Sequence, residues 1–564
     1  MDRICSLTKR YWVVVIIFLV PIPSLFWLPG DNYIARDNIH PVAYDFPSMF
    51  IQATRYLYSW SSGGLGTTNT EPSGFIFNFI TSLLFGVGGN AHNAQVLSLY
   101  LGSVGAIFGM YLLARTLKFS QLSSIVAGVF YLISPFVFTG MPLGPANLRL
   151  IPYHIITPIM LAVFIKALRS EFFRKYLALF GVVSLFATTS YGSLQYFILH
   201  LLILSVYGLF AIFLVIKNRK KLFRVVFRLI ALFAVFFLIN YYWLSPLVFN
   251  LQNVYDSRNE PGFSANHDSD MTIGTSAQIV DALQMMPYMA QKYISPWMQY
   301  YDEFLPTVAL FIFLMTIPLI FFDKEKRKLA LFPGLLLIVS LFLTKGVNEP
   351  LAFVGKAIFS ISPYFTRLFR NVTYFELVVV LSLALLVGLS VGVVARRIRQ
   401  RWLLQSSIII IIAMLIILGG PFITGIVVRQ VNNNGSSQYN LVPDYFREAT
   451  DFLKNKREHS RINSVPTFAF QDVVNYYKWD FIYGGKSPFE SFSGKSVYRP
   501  LYPQLIGMVD PVLVKIPHPR DDNISKEEFN FLSATANVRY VTFHKDTAWD
   551  FIRKIDPVKF SNLD

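Results

Sequence analysis

The sequence predicts a polytopic α-helical membrane protein with about eleven transmembrane helices and a small extracytoplasmic α/β domain at the C-terminal side. Two compositional observations support this fold class. Of the 564 residues, 54% are hydrophobic and only 15% are charged, whereas average soluble domains carry roughly 25% charged residues. The mean hydropathy is +0.47. This composition excludes a soluble enzyme and a disordered chain.

Eleven apolar segments form the third observation, since a transmembrane helix needs about 20 residues with some latitude. The first segment is predicted to be a retained span, because it lacks the small-residue cleavage site of a signal peptide. A shorter apolar run, residues 75–87, is interpreted as an interfacial or re-entrant segment. The eleven segments are 11–29, 94–117, 121–139, 153–168, 176–190, 194–216, 229–247, 305–322, 329–344, 376–395 and 402–424.

Basic clusters between these segments predict the orientation. The formal net charge is +17, and residues 426–564 contribute only +2 (18 Lys and Arg minus 16 Asp and Glu), which leaves +15 for residues 1–425. All six clusters fall on one side if the spans alternate, and a basic bias marks the cytoplasmic side. We therefore expect a multi-pass plasma-membrane protein with a cytoplasmic N-terminus, and we do not expect nucleic-acid binding. The clusters lie at 9–10, 115–118, 166–175, 217–228, 324–328 and 396–401.

The opposite face carries the long loops and the polar tail. We divide the chain into a transmembrane domain, residues 1–425, and an extracytoplasmic α/β domain, residues 426–564. Within the tail, the patterning predicts an amphipathic helix from Pro443 and strands from Arg461 and Val538. The outer loops of the transmembrane domain are 30–93, 248–304 and 345–375.

The first outer loop concentrates acidic side chains in a chain that has few of them. A carboxylate at the membrane surface suits a general base that removes a proton from an acceptor hydroxyl. The same acids suit a divalent cation, so a cation is left open, while the single cysteine, Cys5, excludes a Cys-based metal site. The alternative is that these are the ordinary polar residues of an outer loop. Glu71 is interpreted equally well as a fourth acidic ligand and as a helix cap. The candidates are Asp31, Arg36, Asp37, His40, Asp45 and Glu71.

The outer loop 345–375 supplies the complementary charge. Three basic residues of this loop lie on the outer face, where the positive-inside rule predicts few basic residues. They are Lys345, Arg367 and Arg370. A guanidinium fork binds phosphate bidentately, which gives these residues a function. The alternative is that they snorkel to lipid headgroups. Arg149 and His154, at the outer end of the fourth span, are supporting candidates, although such a histidine is more often interfacial than catalytic.

Three stretches carry a resemblance to a known family: Arg36–Asp45, Asn240–Leu247 and Leu368–Phe375. Together with the layout of spans and loops, they resemble the GT-C class of integral-membrane glycosyltransferases, and within it the arabinofuranosyltransferase D-like proteins. The resemblance implies a GT-C-like transmembrane domain. It also implies an enzyme that transfers a sugar from a polyprenyl-phosphate donor to a glycan, lipid or protein acceptor on the outer face.

The resemblance also implies roles for the candidate residues. Asp37 would be the base, with Asp31 as the open alternative and Asp45 in the same acidic set. The donor phosphate would bind the basic loop 345–375. Two rival functions remain, namely a transporter or flippase for a lipid-linked glycan and a non-catalytic envelope assembly factor. The spans are nearly free of charge, the sequence has no evident internal repeat, and the acidic residues gather on one face, which together disfavour a transporter.

Overall fold

A computed structural model gives the fold of most of the helical region and of parts of the outer loops and tail. It describes residues 2–28, 33–34, 60–61, 67–68, 74–89, 91–140, 150–191, 194–256, 279–283, 285, 308, 310, 312, 318–321, 323–360, 372–398, 400–425, 439–440, 444–456, 461–465, 474–477, 481–484, 497–498 and 538–543.

The described residues are mainly helical. Short 3₁₀ turns cover Ile22–Phe26, Thr188–Ser190 and Val372–Phe375. The α-helices are α1 (Asp2–Leu19), α2 (Gly74–Gly88), α3 (Ala91–Thr116), α4 (Gln121–Ile133), α5 (Pro135–Gly140), α6 (Leu150–Arg169), α7 (Phe173–Ala187), α8 (Leu194–Val215), α9 (Arg219–Asp256), α10 (Ile279–Leu283), α11 (Pro318–Phe321), α12 (Lys324–Thr344), α13 (Ala352–Ser360), α14 (Glu376–Arg397), α15 (Arg401–Leu418), α16 (Gly420–Thr424) and α17 (Asp444–Asn455).

Five helices among the described residues are long and apolar enough to cross a membrane. They confirm the apolar helices predicted at 94–117, 194–216, 229–247, 329–344 and 376–395. The five are His92–Thr116, Leu194–Val215, Arg219–Ser245, Lys326–Thr344 and Glu376–Arg397. Shorter apolar helices cover Tyr11–Phe26, Gln121–Ile133 and Gln405–Leu418. Most of the predicted segment 305–322 lies outside the described residues, and the total of eleven spans stays a prediction.

Helix α14 forms the centre of the bundle. All of its residues from Glu376 to Val393 are buried, and it packs against α4 and α12. Its approach to α4 is close, because a Cβ added to Gly388 would lie 2.5 Å from the carbonyl oxygen of Ser123. Small residues permit such close backbone contact between membrane helices. A helix that is apolar on every side is typical of such a central position.

Local sequence explains several helix boundaries. Helix α4 begins after Ser120, whose hydroxyl accepts a hydrogen bond from the Ser123 amide at 3.1 Å and so serves as an N-cap. Helix α16 ends at Gly425, which adopts a left-handed φ of 64°, the conformation that glycine favours at helix ends. The run predicted at 75–87 forms the 15-residue helix α2. Its interfacial or re-entrant placement stays a prediction.

One end of the bundle, which we call the basic end, gathers helix termini rich in arginine and lysine. Arg228 of α9 donates a hydrogen bond to the carbonyl of Leu168 at the end of α6, at 2.9 Å. Arg396 at the end of α14 pairs with Asp323, which precedes α12, at 2.8 Å. Arg169 lies over the Tyr207 ring, 5.8 Å from its centroid, and that ring meets Phe332 of α12. Four of the six basic clusters thus lie near one another, namely 166–175, 217–228, 324–328 and 396–401.

The described strands lie in the outer loops and the tail. They are β1 (Tyr33–Ile34), β2 (Trp60–Ser61), β3 (Thr67–Thr68), β4 (Tyr439–Asn440), β5 (Arg461–Val465), β6 (Val474–Tyr477), β7 (Phe481–Gly484), β8 (Val497–Tyr498) and β9 (Val538–Phe543). Strand β5 pairs in parallel with both β8 and β9. Antiparallel pairs join β1 to β4, β2 to β3 and β6 to β7.

The elements predicted in the tail are present. The predicted amphipathic helix is α17, and the two predicted strands are β5 and β9. Leu453 of α17 is buried, and Phe452 meets Tyr540 of β9 edge to face, with the ring centroids 6.3 Å apart. That these elements form a separate α/β domain stays a prediction.

Candidate active site

Two of the predicted site residues, His154 and Lys345, are among the residues that the structure describes. The hydrogen bonds and burial of these two side chains are therefore known. The remaining candidates lie outside the described residues, and their assignments stay predictions. They are Asp31, Arg36, Asp37, His40, Asp45, Glu71, Arg149, Arg367 and Arg370.

His154 lies in the first turns of α6 and is fully buried. Its Nδ1 atom is 3.3 Å from the hydroxyl oxygen of Tyr131 on α4. Its Nε2 atom is buried and has no hydrogen-bond partner among the described residues. A buried polar atom without a partner costs free energy, so this nitrogen is a place where a water molecule or a polar ligand group would be stabilised.

A second buried histidine, His200 of α8, was not among the predicted site residues. Its Nδ1 is 2.6 Å from the Tyr191 hydroxyl oxygen and its Nε2 is 2.7 Å from the Thr157 hydroxyl oxygen. The Tyr153 ring stacks on the imidazole with centroids 4.7 Å apart and planes 15° apart. A neutral imidazole donates through one nitrogen and accepts through the other, so both neighbours fit the uncharged form.

The Asn240–Trp243 motif joins this cluster from α9. The Trp243 indole N–H donates to the Asn240 side-chain oxygen at 2.8 Å, and the Asn240 amide donates to the Phe236 carbonyl at 2.8 Å. The Trp243 ring centroid lies 5.5 Å from that of Tyr191. The motif therefore fixes an indole ring against the tyrosine that binds His200. We call the set formed by Tyr153, His154, Tyr191, His200 and Trp243 the aromatic–histidine cluster.

Lys345 follows directly after α12, and its side chain is only 2% exposed. Its ammonium donates to the carbonyl of Asn348 at 2.8 Å and lies 3.5 Å from the carbonyl of Gly346. It also lies 4.8 Å from the centre of the Phe342 ring. An ammonium has three donors, so it can bind its own loop and still donate to an anion.

The electrostatics of Lys345 reflect this burial. Burial lowers the pKa of the Lys345 ammonium below its ordinary value, and the Glu349 carboxylate offsets part of that shift. A desolvated cation has a strong interaction with an anion that enters the same site, because water no longer screens the pair. The Lys345 ammonium thus contacts its own loop and the Phe342 ring, and its role in phosphate binding stays a prediction.

Helix contacts bring the Lys345 loop and the aromatic–histidine cluster to the same end of the bundle. Tyr196 of α8 meets Tyr374 edge to face, with centroids 5.3 Å apart, and the turn that contains Tyr374 packs against α12. Arg370, two positions before Val372, lies outside the described residues, and its place in the donor site stays a prediction.

The described residues hold no group of three or more His, Cys, Asp or Glu side chains that could bind a metal ion. The two buried histidines bind hydroxyl groups instead. The acids of the first outer loop lie outside the described residues, so the divalent cation predicted there stays a prediction.

A family model matches residues 46–479 of the chain. Its description is "Alpha-(1->3)-arabinofuranosyltransferase, N-terminal GT-C domain". The matched range includes the aromatic–histidine cluster, Glu71 and the loop 345–375. It begins immediately after Asp45, so Asp31 and Asp37 precede it. No curated protein sequence matches the chain at a significant level.

Two solved structures resemble the chain in fold. The arabinofuranosyltransferase AftD from Mycobacteria superposes with a TM-score of 0.63 at 16% identity, over 96% of this chain and 35% of AftD. An oligosaccharyltransferase from Archaeoglobus fulgidus, in its apo form, gives a TM-score of 0.50 at 13% identity, over 95% of this chain and 70% of that chain. The chain thus spans about a third of the length of AftD. At these identities the likeness shows a common membrane fold.

Proposed function

Because the chain belongs to the family described as the N-terminal GT-C domain of alpha-(1->3)-arabinofuranosyltransferase, we propose that it is a membrane glycosyltransferase. It transfers a sugar from a polyprenyl-phosphate donor to a glycan, lipid or protein acceptor on the outer face of the membrane. The match over residues 46–479 is the observation that carries this proposal. The family description makes arabinofuranose on a polyprenyl phosphate the first donor to test.

The donor phosphate binds at the end of the bundle that holds Lys345, Arg367 and Arg370. The burial of the Lys345 ammonium beside the outer ends of α12 and α14 supports this assignment. Two guanidinium groups add bidentate hydrogen bonds that a lone ammonium cannot make. The lipid part of the donor remains in the bilayer, which fixes the phosphate near the membrane surface.

The acids of the first outer loop act on the acceptor. Asp37 takes the proton of an acceptor hydroxyl while the hydroxyl oxygen forms a bond to the anomeric carbon of the sugar. The bond between that carbon and the phosphate oxygen breaks, and the polyprenyl phosphate leaves as an anion. Asp31 is the alternative base. Asp45 and Glu71, with Arg36 and His40, belong to the same loop and support it.

The test is substitution of the proposed base. Asp37→Asn should lower turnover by roughly 10²–10⁴-fold, the usual contribution of a general base, while binding of the polyprenyl-phosphate donor stays nearly unchanged. Turnover is measured as transfer of labelled sugar by the purified protein in detergent or vesicles. If Asp37→Asn retains turnover and Asp31→Asn does not, the base is Asp31. If neither substitution lowers transfer, the assignment of the base is contradicted. If the wild-type protein transfers no sugar from any polyprenyl-phosphate donor tested, the glycosyltransferase proposal is contradicted, in favour of a flippase or an assembly factor.

The orientation follows from the same proposal. We place the protein in the plasma membrane with eleven spans in residues 1–425, a cytoplasmic N-terminus and residues 426–564 outside as an α/β domain. The meeting of four of the six basic clusters at one end of the bundle supports this arrangement. A reporter fused after Arg429 should be active outside the cytoplasm, and one inserted within residues 217–228 should be active inside. Reversal of either result would contradict the topology.

A divalent cation remains part of the proposal for the first outer loop, where Asp31, Asp37 and Asp45 offer oxygen ligands of the kind that Mg²⁺ and Ca²⁺ prefer. The readout is the effect of a chelator on transfer, with restoration by added Mg²⁺ or Ca²⁺. Full transfer after chelation would remove the cation from the proposal and leave the base assignment intact.

A further inference from the structure

Residues at the end of the first predicted span contact the short helix α16, which precedes the tail. The Trp27 indole N–H donates to the carbonyl of Phe422 at 2.8 Å, and the two rings meet edge to face with centroids 4.9 Å apart. Trp27 is 1% exposed. A buried indole with its N–H satisfied is a specific contact, because displacement would leave that donor without a partner.

Gly425 completes this contact from the C-terminal side. Its φ is 64°, and a Cβ at this position would lie 2.5 Å from Cδ1 of Trp27. Both the backbone conformation and the close approach of the indole therefore require glycine. Gly420, at the start of the same short helix α16, has no atom within 4 Å of an added Cβ, and so it provides a matched control.

A strand pair adds a second contact between the two segments, beginning six residues beyond Trp27 and fourteen residues beyond Gly425. Tyr33 and Ile34 of β1 pair antiparallel with Asn440 and Tyr439 of β4. Strand β1 also packs against α3. The first residues of the outer loop are thus held on one side by a transmembrane helix and on the other by the start of the tail. We call Trp27, Phe422 and Gly425, together with the β1–β4 pair, the Trp27 clamp.

Chain geometry relates the clamp to the acids of the loop. Asp31 precedes Tyr33 by two positions and Asp37 follows Ile34 by three, whereas Asp45 follows Ile34 by eleven. These three acids lie outside the described residues. By their separation along the chain, Asp31 and Asp37 are covalently closer to the clamp than Asp45 is.

We propose that the Trp27 clamp positions the acceptor-activating end of the active site, with Trp27 and Gly425 as positioning residues and the start of the tail as a required part of the catalytic assembly. This inference rests on the proposed function. A base must lie within hydrogen-bond distance of the proton that it removes, and misplacement by about 1 Å can cost roughly 10²-fold in rate. The donor phosphate contacts a different loop, so the clamp affects turnover rather than donor binding.

Kinetics of two glycine variants test the positioning role. Gly425→Ala should lower kcat at least tenfold with the KM for the polyprenyl-phosphate donor unchanged, whereas Gly420→Ala should stay within about twofold of the wild type. Trp27→Phe, which removes only the indole N–H and part of the ring, should lower kcat in the same sense. It serves as the second variant if Gly425→Ala does not insert. Unchanged kcat in both variants overturns the proposal.

A cross-link tests the geometry without activity. In a Cys5→Ser background, Tyr33→Cys/Asn440→Cys should form a disulfide on mild oxidation, since paired strands bring Cα atoms within the range of about 4.4–6.8 Å that a disulfide spans. The control pair is Tyr33→Cys/Asn463→Cys, because Asn463 in the middle of β5 pairs with strands on both sides. The cross-linked protein should retain the kcat of its reduced form. Failure to cross-link, or loss of kcat on cross-linking, overturns the clamp.

These outcomes separate the two proposals. An inactive wild-type protein contradicts the proposed function, whereas full activity in both Asp37→Asn and Asp31→Asn contradicts only the assignment of the base. An active wild-type protein whose Asp37→Asn variant is inactive but whose Gly425→Ala and Trp27→Phe variants turn over normally contradicts only the positioning role.

Discussion

The two ends of the helical bundle satisfy their polar side chains in opposite ways. At the basic end, Arg228 binds a backbone carbonyl at a helix terminus, and Arg396 pairs with Asp323 while about half of the arginine side chain remains exposed. At the other end, His200 is hydrogen-bonded to Tyr191 and to Thr157, and all three residues are at most 3% exposed. The charged groups of these two contacts at the basic end are thus accessible to water, whereas the polar groups around His200 are buried.

The exposed basic residues therefore have a role in topology, whereas the buried polar groups are candidates for a role in chemistry. Exposed basic residues set the orientation of membrane helices and contribute little to stability. Buried hydrogen-bonded groups are costly unless every partner is in place, so they specify one arrangement of the helices. Ionisable side chains inside a membrane protein are a functional-site hypothesis by default. The two histidines of the aromatic–histidine cluster meet this description.

The largest effect that the comparison predicts is that of His200→Ala. The substitution removes hydrogen bonds to Tyr191 and Thr157 and the stacking of Tyr153, and it leaves a cavity among buried side chains. The free energy of unfolding should fall by about 3–5 kcal/mol. The measurement is denaturant or thermal unfolding in detergent, and a loss below about 1 kcal/mol would show that the cluster does not hold this end together.

An intermediate effect is expected at Lys345, and it appears in donor binding. Lys345→Met should weaken binding of the polyprenyl-phosphate donor about tenfold, as expected for loss of a hydrogen bond from a charged group. Lys356→Met, at an exposed position of the neighbouring helix α13, should have no effect. Equal affinity in the wild type and Lys345→Met would return Lys345 to a purely structural role in its loop.

The lowered pKa of Lys345 adds a pH dependence with a definite sign. As pH rises through the lowered pKa, the folded protein loses the ammonium charge before an exposed lysine would, so donor affinity falls at a lower pH. The unfolded chain binds more protons in this window, and the Lys345 contribution to the free energy of unfolding therefore rises with pH. Donor titrations across alkaline pH, in wild type and Lys345→Met, provide the measurement.

The smallest effect should be at the basic end. Arg396→Ala removes a pair between a half-exposed guanidinium and the Asp323 carboxylate. Exposed ion pairs contribute roughly 0–1 kcal/mol, so the free energy of unfolding in detergent should fall by no more than about 1 kcal/mol. A loss comparable to that of His200→Ala would erase the distinction between the two ends.

Much of the fold could be predicted from the sequence because spanning helices leave a strong apolar signal. The helices at 94–117 and 376–395 were predicted to within a few residues of α3 and α14. Helix α9 was predicted at 229–247 but extends over Arg219–Asp256, because its basic first turns and polar last turns continue the helix beyond the apolar core. Hydropathy locates the bilayer-length portion of a helix and not its hydrogen-bonded ends.

The candidate site was less predictable, because side-chain pairing between helices has no sequence period. His200 lies within the apolar run of α8, and nothing in that run points to Thr157, which lies 43 positions earlier. The available signal was a single histidine in an otherwise uncharged span, which membrane energetics makes noteworthy. The Asn240–Trp243 motif was noticed for its resemblance to a family, whereas its local role, an indole bound to an amide one turn earlier, follows from helical spacing.

The order of strand pairing has a consequence for biosynthesis. Strand β5 is complete only when it pairs with β9 at Val538–Phe543, whereas β4 at Tyr439–Asn440 pairs with β1, which has already emerged. During synthesis from the N-terminus, the β1–β4 pair can therefore form before the 97 residues between Asn440 and Val538 are translated, whereas the parallel sheet must wait for β9. The strand pair that holds the first outer loop can thus form during translation, before the rest of the tail has folded.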